Sequence, residues 1–171
     1  MNLEKQLLQK HHDRNTFDCG IELLNNYIKH QASQDVKRKL SVCFVFSDKW
    51  VVKGYYTLSS SSIPQEDVPL KFSKRFPKSY SSIPVILLGR LAVDKGCKGK
   101  GYGEHLLVDA LMESYEVSKE KIGATAVVVD PINDDAENFY EKYGFIKLET
   151  SGMMFLPMNT IRKLFENIEQ K

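Results

Sequence analysis

The segment that most constrains the structure of this chain is Lys98-Gly99-Lys100-Gly101-Tyr102-Gly103. An apolar run typical of a strand precedes it at residues 85–93, and apolar residues at helical spacing follow it at residues 106–114. The pattern therefore predicts a strand, a glycine loop and a helix. Because glycine has no Cβ atom, a ligand can approach this backbone closely, and the N–H groups at the start of the helix favour an anion such as phosphate.

Two common phosphate loops do not fit this segment. A P-loop ends in Gly-Lys followed by Ser or Thr, whereas Gly101 is followed by Tyr102 and Gly103. The dinucleotide-binding fingerprint needs a glycine three residues after its second glycine, and Glu104 stands at that distance from Gly101. For the loop taken alone, a glycine-rich turn without a ligand stays open as an alternative.

The composition is that of an ordinary globular protein. With 171 residues, 42% of them hydrophobic, the chain can bury one core, and no linker divides it, so we expect one domain over residues 1–171. The net charge of +2 means that any contact with nucleic acid must rest on a local patch. Three scattered cysteines lack metal-ligand spacing, so we expect reduced thiols and no metal. No segment has the character of a signal peptide or a membrane span, so we expect a cytoplasmic protein without a membrane partner.

The segments before the glycine loop predict a helix and a hairpin. Residues 1–15 indicate a short strand or an arm, and a helix capped by Asp18 would present one apolar face formed by Ile21, Leu24, Ile28 and Ala32. Strands are expected at residues 41–46 and 51–59, joined by a turn at residues 47–49. Tyr55 and Tyr56 in the second strand are best interpreted as core residues.

A long connection is expected at residues 63–84, interrupted by prolines. Loops of this length in compact domains are usually functional or mobile. Its basic side chains are interleaved with Phe72, Phe76 and Tyr80; they are Lys71, Lys74, Arg75 and Lys78. The alternation would suit the backbone and exposed bases of a nucleic acid, and it would equally suit an ordinary soluble helix. The basic cluster at residues 37–39 is interpreted chiefly as a solvated turn.

After the central helix, a continuous apolar run at residues 124–129 predicts a buried strand. A short helix should follow, capped by Asn133 or Asp134 and closed by Gly144. A hairpin is expected at residues 145–148 and 153–156. The last helix should begin near Asn159, with an apolar face formed by Ile161, Leu164, Phe165 and Ile168.

Two blocks together resemble the GCN5-related N-acetyltransferases, the GNAT family. The first is the glycine loop, in which Lys98 stands where the family usually has Gln or Arg; the second is Asn133-x-x-Ala136-x-x-x-Tyr140-x-x-x-Gly144-Phe145. The resemblance implies an α/β (α+β) fold with helices on both faces of a mixed central β-sheet. This sheet would be splayed in the middle, between the strands at residues 87–93 and 124–129.

The resemblance also implies a co-substrate and roles for individual residues. Acetyl-CoA would lie in the splay, with its pantetheine backbone pairing with Leu91, Ala92 and Val93 and its pyrophosphate on residues 98–103. Asn133 would hydrogen-bond the pantetheine arm. Tyr140 would place its hydroxyl near the thioester sulfur, where a phenol is a proton donor at neutral pH.

One residue expected in this family is missing. Many GNAT enzymes carry a glutamate as general base on the strand before the glycine loop, whereas residues 85–93 offer only Arg90, which we consider a substrate residue. A lysine amine, with a pKa of about 10.4, needs such a base, but an α-amino group, at about 7.7–8.0, is substantially neutral already. The missing base therefore favours an acceptor amine of low pKa.

A finer similarity to the GNAT toxins of bacterial toxin–antitoxin pairs runs along nearly the whole chain. The implied reaction is acetylation of the α-amino group of an aminoacyl-tRNA, which blocks translation, and the implied protein partner is a ribbon-helix-helix antitoxin. A homodimer is also considered. Two alternatives stay open: a metabolic or protein N-acetyltransferase acting on a small amine or peptide amine, and a non-catalytic acyl-CoA-binding domain. The similar segments are Phe17-Asp18-Cys19-Gly20, Leu24-Asn25 with Tyr27, Gly54-Tyr55-Tyr56-Thr57-Leu58, Pro84-Val85, Leu88-Gly89-Arg90-Leu91-Ala92-Val93-Asp94 and Phe155-Leu156-Pro157-Met158.

Overall fold

The computed structural model describes residues 3–169, with side chains up to residue 166. In this part of the chain a seven-stranded sheet has the order β1-β2-β3-β4-β5-β7-β6. The strands are β1 (Glu4–Leu7), β2 (Val42–Asp48), β3 (Val51–Pro64), β4 (Ser82–Val93), β5 (Ala126–Val129), β6 (Ile146–Lys147) and β7 (Met154–Pro157).

The predicted mixed sheet is confirmed. The pairs β1–β2, β2–β3, β5–β7 and β6–β7 are antiparallel, whereas β4 and β5 pair in parallel. This parallel pairing joins Ile86 to Val127 and Leu87 to Val128, while β4 itself continues to Val93. A splay beyond Leu87 stays a prediction.

The helices are α1 (Glu22–Asn26), α2 (Ala32–Lys37), α3 (Leu70–Ser73), α4 (Tyr102–Glu120), α5 (Asp134–Lys142) and α6 (Met158–Glu169). A π-helix at Tyr27–Gln31 joins α1 to α2, and 3₁₀ turns lie at Gln65–Asp67 and Lys95–Cys97. The chain forms two compact units. The first comprises residues up to Ser59 together with Leu88–Ala110, and the second comprises Ser60–Leu87 together with residues from Leu111 onward.

The core of the first unit is formed by apolar side chains of the helical segment and of β2 and β3. Tyr55 and Tyr56 are fully buried, as their alternation with β-branched residues predicted. Their hydroxyls are satisfied, because Tyr55 donates to the Leu24 carbonyl at 2.8 Å and Tyr56 donates to an Asp109 carboxylate oxygen at 2.5 Å. The cluster around Tyr55 comprises Leu8, Phe17, Cys19, Tyr27, Ile28, Ala32, Cys43, Val45, Val52 and Ala92.

Two local predictions in the first unit are wrong. Asp18 does not cap a helix: α1 begins after Ile21, and the Asp18 Oδ1 atom instead accepts hydrogen bonds from Gly20 N and Asn25 Nδ2, both at 2.8 Å. The hairpin turn is not at residues 47–49, because β2 continues to Asp48 through an irregularity between Phe46 and Ser47. The turn residues are Lys49 and Trp50, both with positive φ.

The second unit has its own core between the end of β3, the start of β4, β5 and β7. Ile63 and Ile83 are buried in it, so the connection is shorter than predicted and covers residues 65–81 rather than 63–84. Pro84 lies inside β4, and its carbonyl accepts from Thr125 N at 2.9 Å. The strand β5 begins at Ala126 rather than at residue 124.

The C-terminal elements lie where they were predicted, with one difference on the apolar face of the last helix. The hairpin forms with β6 and β7, and α6 begins at Met158 with Ile161 and Phe165 buried. Leu164, expected on the same apolar face, is 45% exposed. The side chain of Ile168 lies outside the described residues.

Candidate active site

The start of the glycine loop is anchored within the first unit by Asp94. Its backbone N–H donates to the Lys53 carbonyl at 2.8 Å, and its Oδ1 atom accepts from Gly96 N at 2.9 Å. Its Oδ2 atom accepts from Asp18 N at 3.0 Å. Asp18 in turn forms an ion pair with Lys95 at 2.9 Å, and hydrogen bonds from Lys95, Gly20 and Asn25 hold the pKa of Asp18 below its usual range. The loop therefore leaves β4 in a fixed direction.

Two loop glycines are required by backbone conformation and not by packing. Gly99 and Gly101 have φ values of 75° and 78°, and a Cβ atom at either position would meet no atom within 4 Å. Left-handed backbone is unfavourable for residues with a Cβ atom. Gly103 differs, because it lies in the first turn of α4 without a positive φ.

The helix start supplies the donors that the sequence pattern predicted. His105 N donates to the Gly101 carbonyl at 3.0 Å, so the N–H groups of Gly103 and Glu104 lie ahead of the helical ladder. The N–H of Lys98 is already engaged, since it donates to the Lys95 carbonyl at 3.2 Å. Lys100 Nζ donates to the Gly96 carbonyl at 2.9 Å. A phosphate role for residues 98–103 stays a prediction, with the helix start as its best-placed part.

The last residues of β4 carry one cation. Arg90 stacks its guanidinium over the ring of Tyr27, 3.6 Å from the ring centroid. Burial raises the pKa of Tyr27, so the ring under this cation stays neutral. Ala92 is buried, and Leu91 and Val93 are half-buried. The Tyr27–Arg90 pair was missed in the sequence, because its members are distant in the chain and no local spacing joins them.

In the second unit, Asn133 caps α5, as predicted. Its Oδ1 atom accepts from Ala136 N at 2.9 Å, and its side chain is exposed. Because the oxygen is used by the helix, the amide nitrogen is the atom left for a ligand. Gly144, with φ of 90°, closes the helix and turns the chain so that Phe145 N donates to the Tyr140 carbonyl at 3.2 Å.

Tyr140 is buried, and its hydroxyl is not fully enclosed. The ring lies 5.3 Å from those of both Phe139 and Phe145, measured between centroids. Among the described residues the hydroxyl has no hydrogen-bond partner, and no fully enclosed side-chain oxygen there lacks one. Burial raises the pKa of Tyr140. The phenol is therefore protonated at neutral pH and can donate to an incoming atom.

The cations of the connection are exposed, whereas two of its aromatic residues are half-buried. Lys71, Lys74, Arg75 and Lys78 are all exposed. Phe72 is half-buried, packs at right angles on Phe155 at 5.2 Å, and joins Phe76 in lining an apolar cavity of about 150 Å³ with Arg75 at its wall. Lys71 Nζ lies over the Phe72 ring, 4.8 Å from its centroid, and Tyr80 is 59% exposed.

The described residues contain no group of three or more His, Cys, Asp or Glu side chains that could hold a metal ion. None of their helices is both long enough and apolar enough to cross a membrane.

A family model described as an acetyltransferase (GNAT) domain matches residues 43–147, which include the glycine loop, Asn133 and Tyr140. The chain belongs to the GNAT acetyltransferase family. Two named relatives are toxins. The "tRNA-acetylating toxin" of Mycobacterium tuberculosis is 35% identical over 133 residues, 78% of each chain. The "Probable toxin TacT" of Sinorhizobium fredii is 33% identical over 163 residues, 90% of this chain and 89% of the relative.

Solved structures of KacT and AtaT are similar to this chain over almost its whole length. A tyrosine-to-phenylalanine mutant of KacT superposes with a TM-score of 0.89 at 31% identity, covering 96% of this chain and 100% of KacT. AtaT complexed with acetyl-methionyl-tRNAfMet gives 0.87 at 30% identity, covering 95% and 99%. A mutant AtaT toxin bound to acetyl-CoA and to the C-terminus of the antitoxin AtaR gives 0.81 at 28% identity, covering 97% and 99%.

Proposed function

We propose that this chain is a toxin-type N-acetyltransferase that transfers the acetyl group of acetyl-CoA to the α-amino group of an aminoacyl-tRNA. The observation that carries the proposal is the likeness, over 95% of the chain, to AtaT solved with acetyl-methionyl-tRNA. The relative from Mycobacterium tuberculosis, named a tRNA-acetylating toxin, points to the same class of reaction. Modification of charged tRNA in this way would block translation.

The proposed roles in binding acetyl-CoA are given for each unit by itself. In the first unit, the backbone of Leu91, Ala92 and Val93 pairs with the pantetheine, and the loop from Lys98 to Gly103 binds the pyrophosphate. Donation to the phosphate oxygens comes chiefly from N–H groups at the start of α4, where the helix dipole adds to the attraction. In the second unit, the amide nitrogen of Asn133 donates to the pantetheine arm.

The chemistry needs one proton donor and a neutral amine. The amine nitrogen forms a bond to the thioester carbonyl carbon, the C–S bond then breaks, and the sulfur leaves with the electron pair. Tyr140 gives its proton to this sulfur and regains it from solvent, while the attacking nitrogen loses its extra proton to water. The hydroxyl of Tyr140, which has no hydrogen-bond partner among the described residues, and its raised pKa suit the donor role.

The proposed acceptor follows from the absence of a general base in β4. No Asp, Glu or His occurs in β4, and its only ionisable side chain, Arg90, is stacked on Tyr27. A strand without a base suits an α-amino group, which is substantially neutral near pH 8. The exposed cations Lys71, Lys74, Arg75 and Lys78 are proposed to contact RNA phosphates, and Arg90 to contact the acceptor end.

The remaining assignments follow from this activity. Acetyl-CoA and charged tRNA are cytoplasmic, so we place the protein in the cytoplasm. A small antitoxin, of the ribbon-helix-helix class that the sequence resemblance implied, is proposed as its partner, as AtaR is for AtaT. Residues 1–171 are proposed to act as one catalytic domain. A homodimer stays a prediction.

The test is transfer of labelled acetyl from acetyl-CoA to total charged tRNA. We expect N-acetylaminoacyl-tRNA, identified after release of the amino acid, and no product with tRNA that was deacylated beforehand. Y140F serves as the negative control, because it removes the hydroxyl of Tyr140 and keeps the ring. Label found in polyamines or peptides, with charged tRNA unmodified, would replace this function by the metabolic alternative.

A further inference from the structure

The tip of the β2–β3 hairpin is built from residues that the turn itself disfavours. Lys49 and Trp50 have φ values of 45° and 74°, the combination for which two-residue hairpin turns select Asn-Gly. Left-handed backbone destabilises any residue with a Cβ atom, and a bulky residue there is a true outlier. Trp50 is nevertheless 52% exposed, so burial of its ring does not offset this strain.

The strained ring is held in a defined position. His11 contacts it at 4.4 Å between centroids, with the ring planes at 84°. The segment behind it is pinned, because Asp13 N donates to the Trp50 carbonyl and Val52 N donates to the Asp13 carbonyl, both at 2.9 Å. These backbone bonds would form with any residue at position 50. They fix the position of the side chain, but they do not explain why position 50 carries a tryptophan.

We propose that Trp50 is a stacking platform for an unpaired base of the RNA acceptor. The proposal rests on the proposed function. Exposed aromatic rings flanked by cations are the usual means of holding single-stranded nucleic acid, and the aminoacyl end of a tRNA is single-stranded. The exposed cations Lys49 and Lys10 are close to Trp50 and His11 in sequence. The carbonyl of Lys53, three residues after Trp50, accepts from Asp94 N at the start of the glycine loop, so the backbone of Trp50 lies within roughly 10 Å of that point.

The indole of Trp50 carries no charge, so its contribution to RNA binding is stacking. Two half-buried carboxylates, Asp48 and Asp13, stand beside the lysines, and Asp13 Oδ1 accepts from Asn15 N at 3.0 Å. A neutral ring neutralises no phosphate and releases no counterions, whereas stacking on an aromatic face is tolerant of sequence. The platform should therefore act independently of the cations in the connection.

Trp50 is the only tryptophan in the chain, so its fluorescence reports this site directly. Deacylated tRNA should quench it in a saturable way, and acetyl-CoA alone should not. Quenching by acetyl-CoA alone would assign the ring to the adenine of the co-substrate. A change with protein concentration alone would assign it to a protein contact. Either result would overturn the proposal.

Three variants separate stacking from folding. W50G removes the ring and also relieves the turn, so it should match or exceed the wild type in thermal stability. It should weaken tRNA binding and lower kcat/KM for charged tRNA by roughly 5- to 150-fold, the range expected for loss of one base stack. W50F should retain most of both. I122A, which removes a 53% exposed apolar side chain elsewhere, is the control and should change neither.

Salt distinguishes this contact from phosphate binding. The factor lost in W50G should be the same at low and high salt, with acetyl-CoA binding unchanged. If W50G binds and acetylates charged tRNA like the wild type, the platform proposal is wrong and the proposed function stands. If the wild type acetylates no charged tRNA, the proposed function itself fails, and tRNA quenching of Trp50 would then be absent too.

Discussion

At the scale of single residues, Tyr140 carries the most specific chemical claim. Y140F keeps the ring contacts with Phe139 and Phe145 and removes one hydroxyl, so acetyl-CoA affinity should be little changed. Turnover should fall by roughly 10²–10⁴-fold if the phenol protonates the leaving sulfur. Y143F is the matched control, because Tyr143 belongs to the same ring cluster at 5.0 Å from Phe139. Single-turnover kinetics on both variants would check this, and an unchanged Y140F rate would move the donor elsewhere.

The pH dependence of the reaction distinguishes the titration of the acceptor amine from that of the proton donor, Tyr140. The rate should rise as the acceptor amine loses its proton, near pH 7.7–8.0 for an α-amino group. Because burial raises the pKa of Tyr140, its protonated form persists above the ordinary tyrosine range, so no fall in rate is expected near pH 10. A profile of kcat/KM against pH measures the rise and tests whether a fall is absent near pH 10. A rising limb near pH 10 would instead indicate a lysine-like acceptor.

At the scale of elements, substitutions in the glycine loop separate the effect of backbone strain on stability from the effect of a Cβ atom on ligand binding. G101A should lose both stability, by about 1–2 kcal/mol for the left-handed backbone, and acetyl-CoA binding. G103A should be as stable as the wild type or more so, since alanine favours helix, yet should bind acetyl-CoA weakly because its Cβ obstructs the pyrophosphate. Thermal unfolding and titration calorimetry measure the two effects. K98A should lose little of either; a loss equal to that of G103A would mean that side-chain charge carries the site.

The connection at residues 65–81 is tied to the β6–β7 turn by the buried Asp67. Its Oδ1 atom accepts from Thr150 N at 2.5 Å and from Thr150 Oγ1 at 2.7 Å. Burial alone would raise the pKa of Asp67, but hydrogen bonds from Ser151 and Thr150 outweigh it and the pKa is lowered. A lowered pKa stabilises the fold above the unfolded value of about 3.9, and this contribution is lost as the pH falls through the folded pKa.

D67N should therefore lower the free energy of unfolding at pH 7 by about 1–3 kcal/mol and weaken its dependence on pH in the acid range. Denaturant unfolding at neutral and acid pH provides the measurement. E66Q, which neutralises the exposed neighbour, is the control and should be close to the wild type. Equal acid dependence in D67N and the wild type would contradict the role given to Asp67.

At the scale of the whole molecule, local signals were sufficient for some parts and not for others. The helix Asp134–Lys142 was predicted correctly because its cap, Asn133, and its closing glycine, Gly144, lie within one short segment. The role given to Asp18 was wrong because its carboxylate is used by Gly20, Asn25 and Lys95, a choice set by tertiary contacts. The π-helix at Tyr27–Gln31 and the Tyr27–Arg90 stack have the same origin.

The residues of the candidate site also fall into those that the local sequence predicted and those that it did not. The glycine loop, Asn133 and Tyr140 could be predicted because their spacing carries the chemistry. The burial of Phe72 and Phe76 could not, since interleaved aromatics look alike whether they face a core or a ligand. The strained turn at Trp50 was also missed. Its position depends on a register shift in β2 between Phe46 and Ser47, for which the sequence has no local signal.

The whole-molecule claim is that the acceptor amine is presented by an RNA. Charged tRNA and the same free amino acid carry the same kind of amine, so their kcat/KM values compare the contribution of the RNA directly. The K74A/R75A double variant removes two exposed cations, and each lost phosphate contact should reduce the slope of log kcat/KM against log salt by about 1.

The decisive measurement is therefore kcat/KM for charged tRNA and for the free amino acid, across a range of salt. We predict that charged tRNA is strongly preferred, that the preference falls as salt rises, and that K74A/R75A flattens this dependence. Equal kcat/KM values for the two acceptors, independent of salt, would contradict acetylation of aminoacyl-tRNA as the function of this chain.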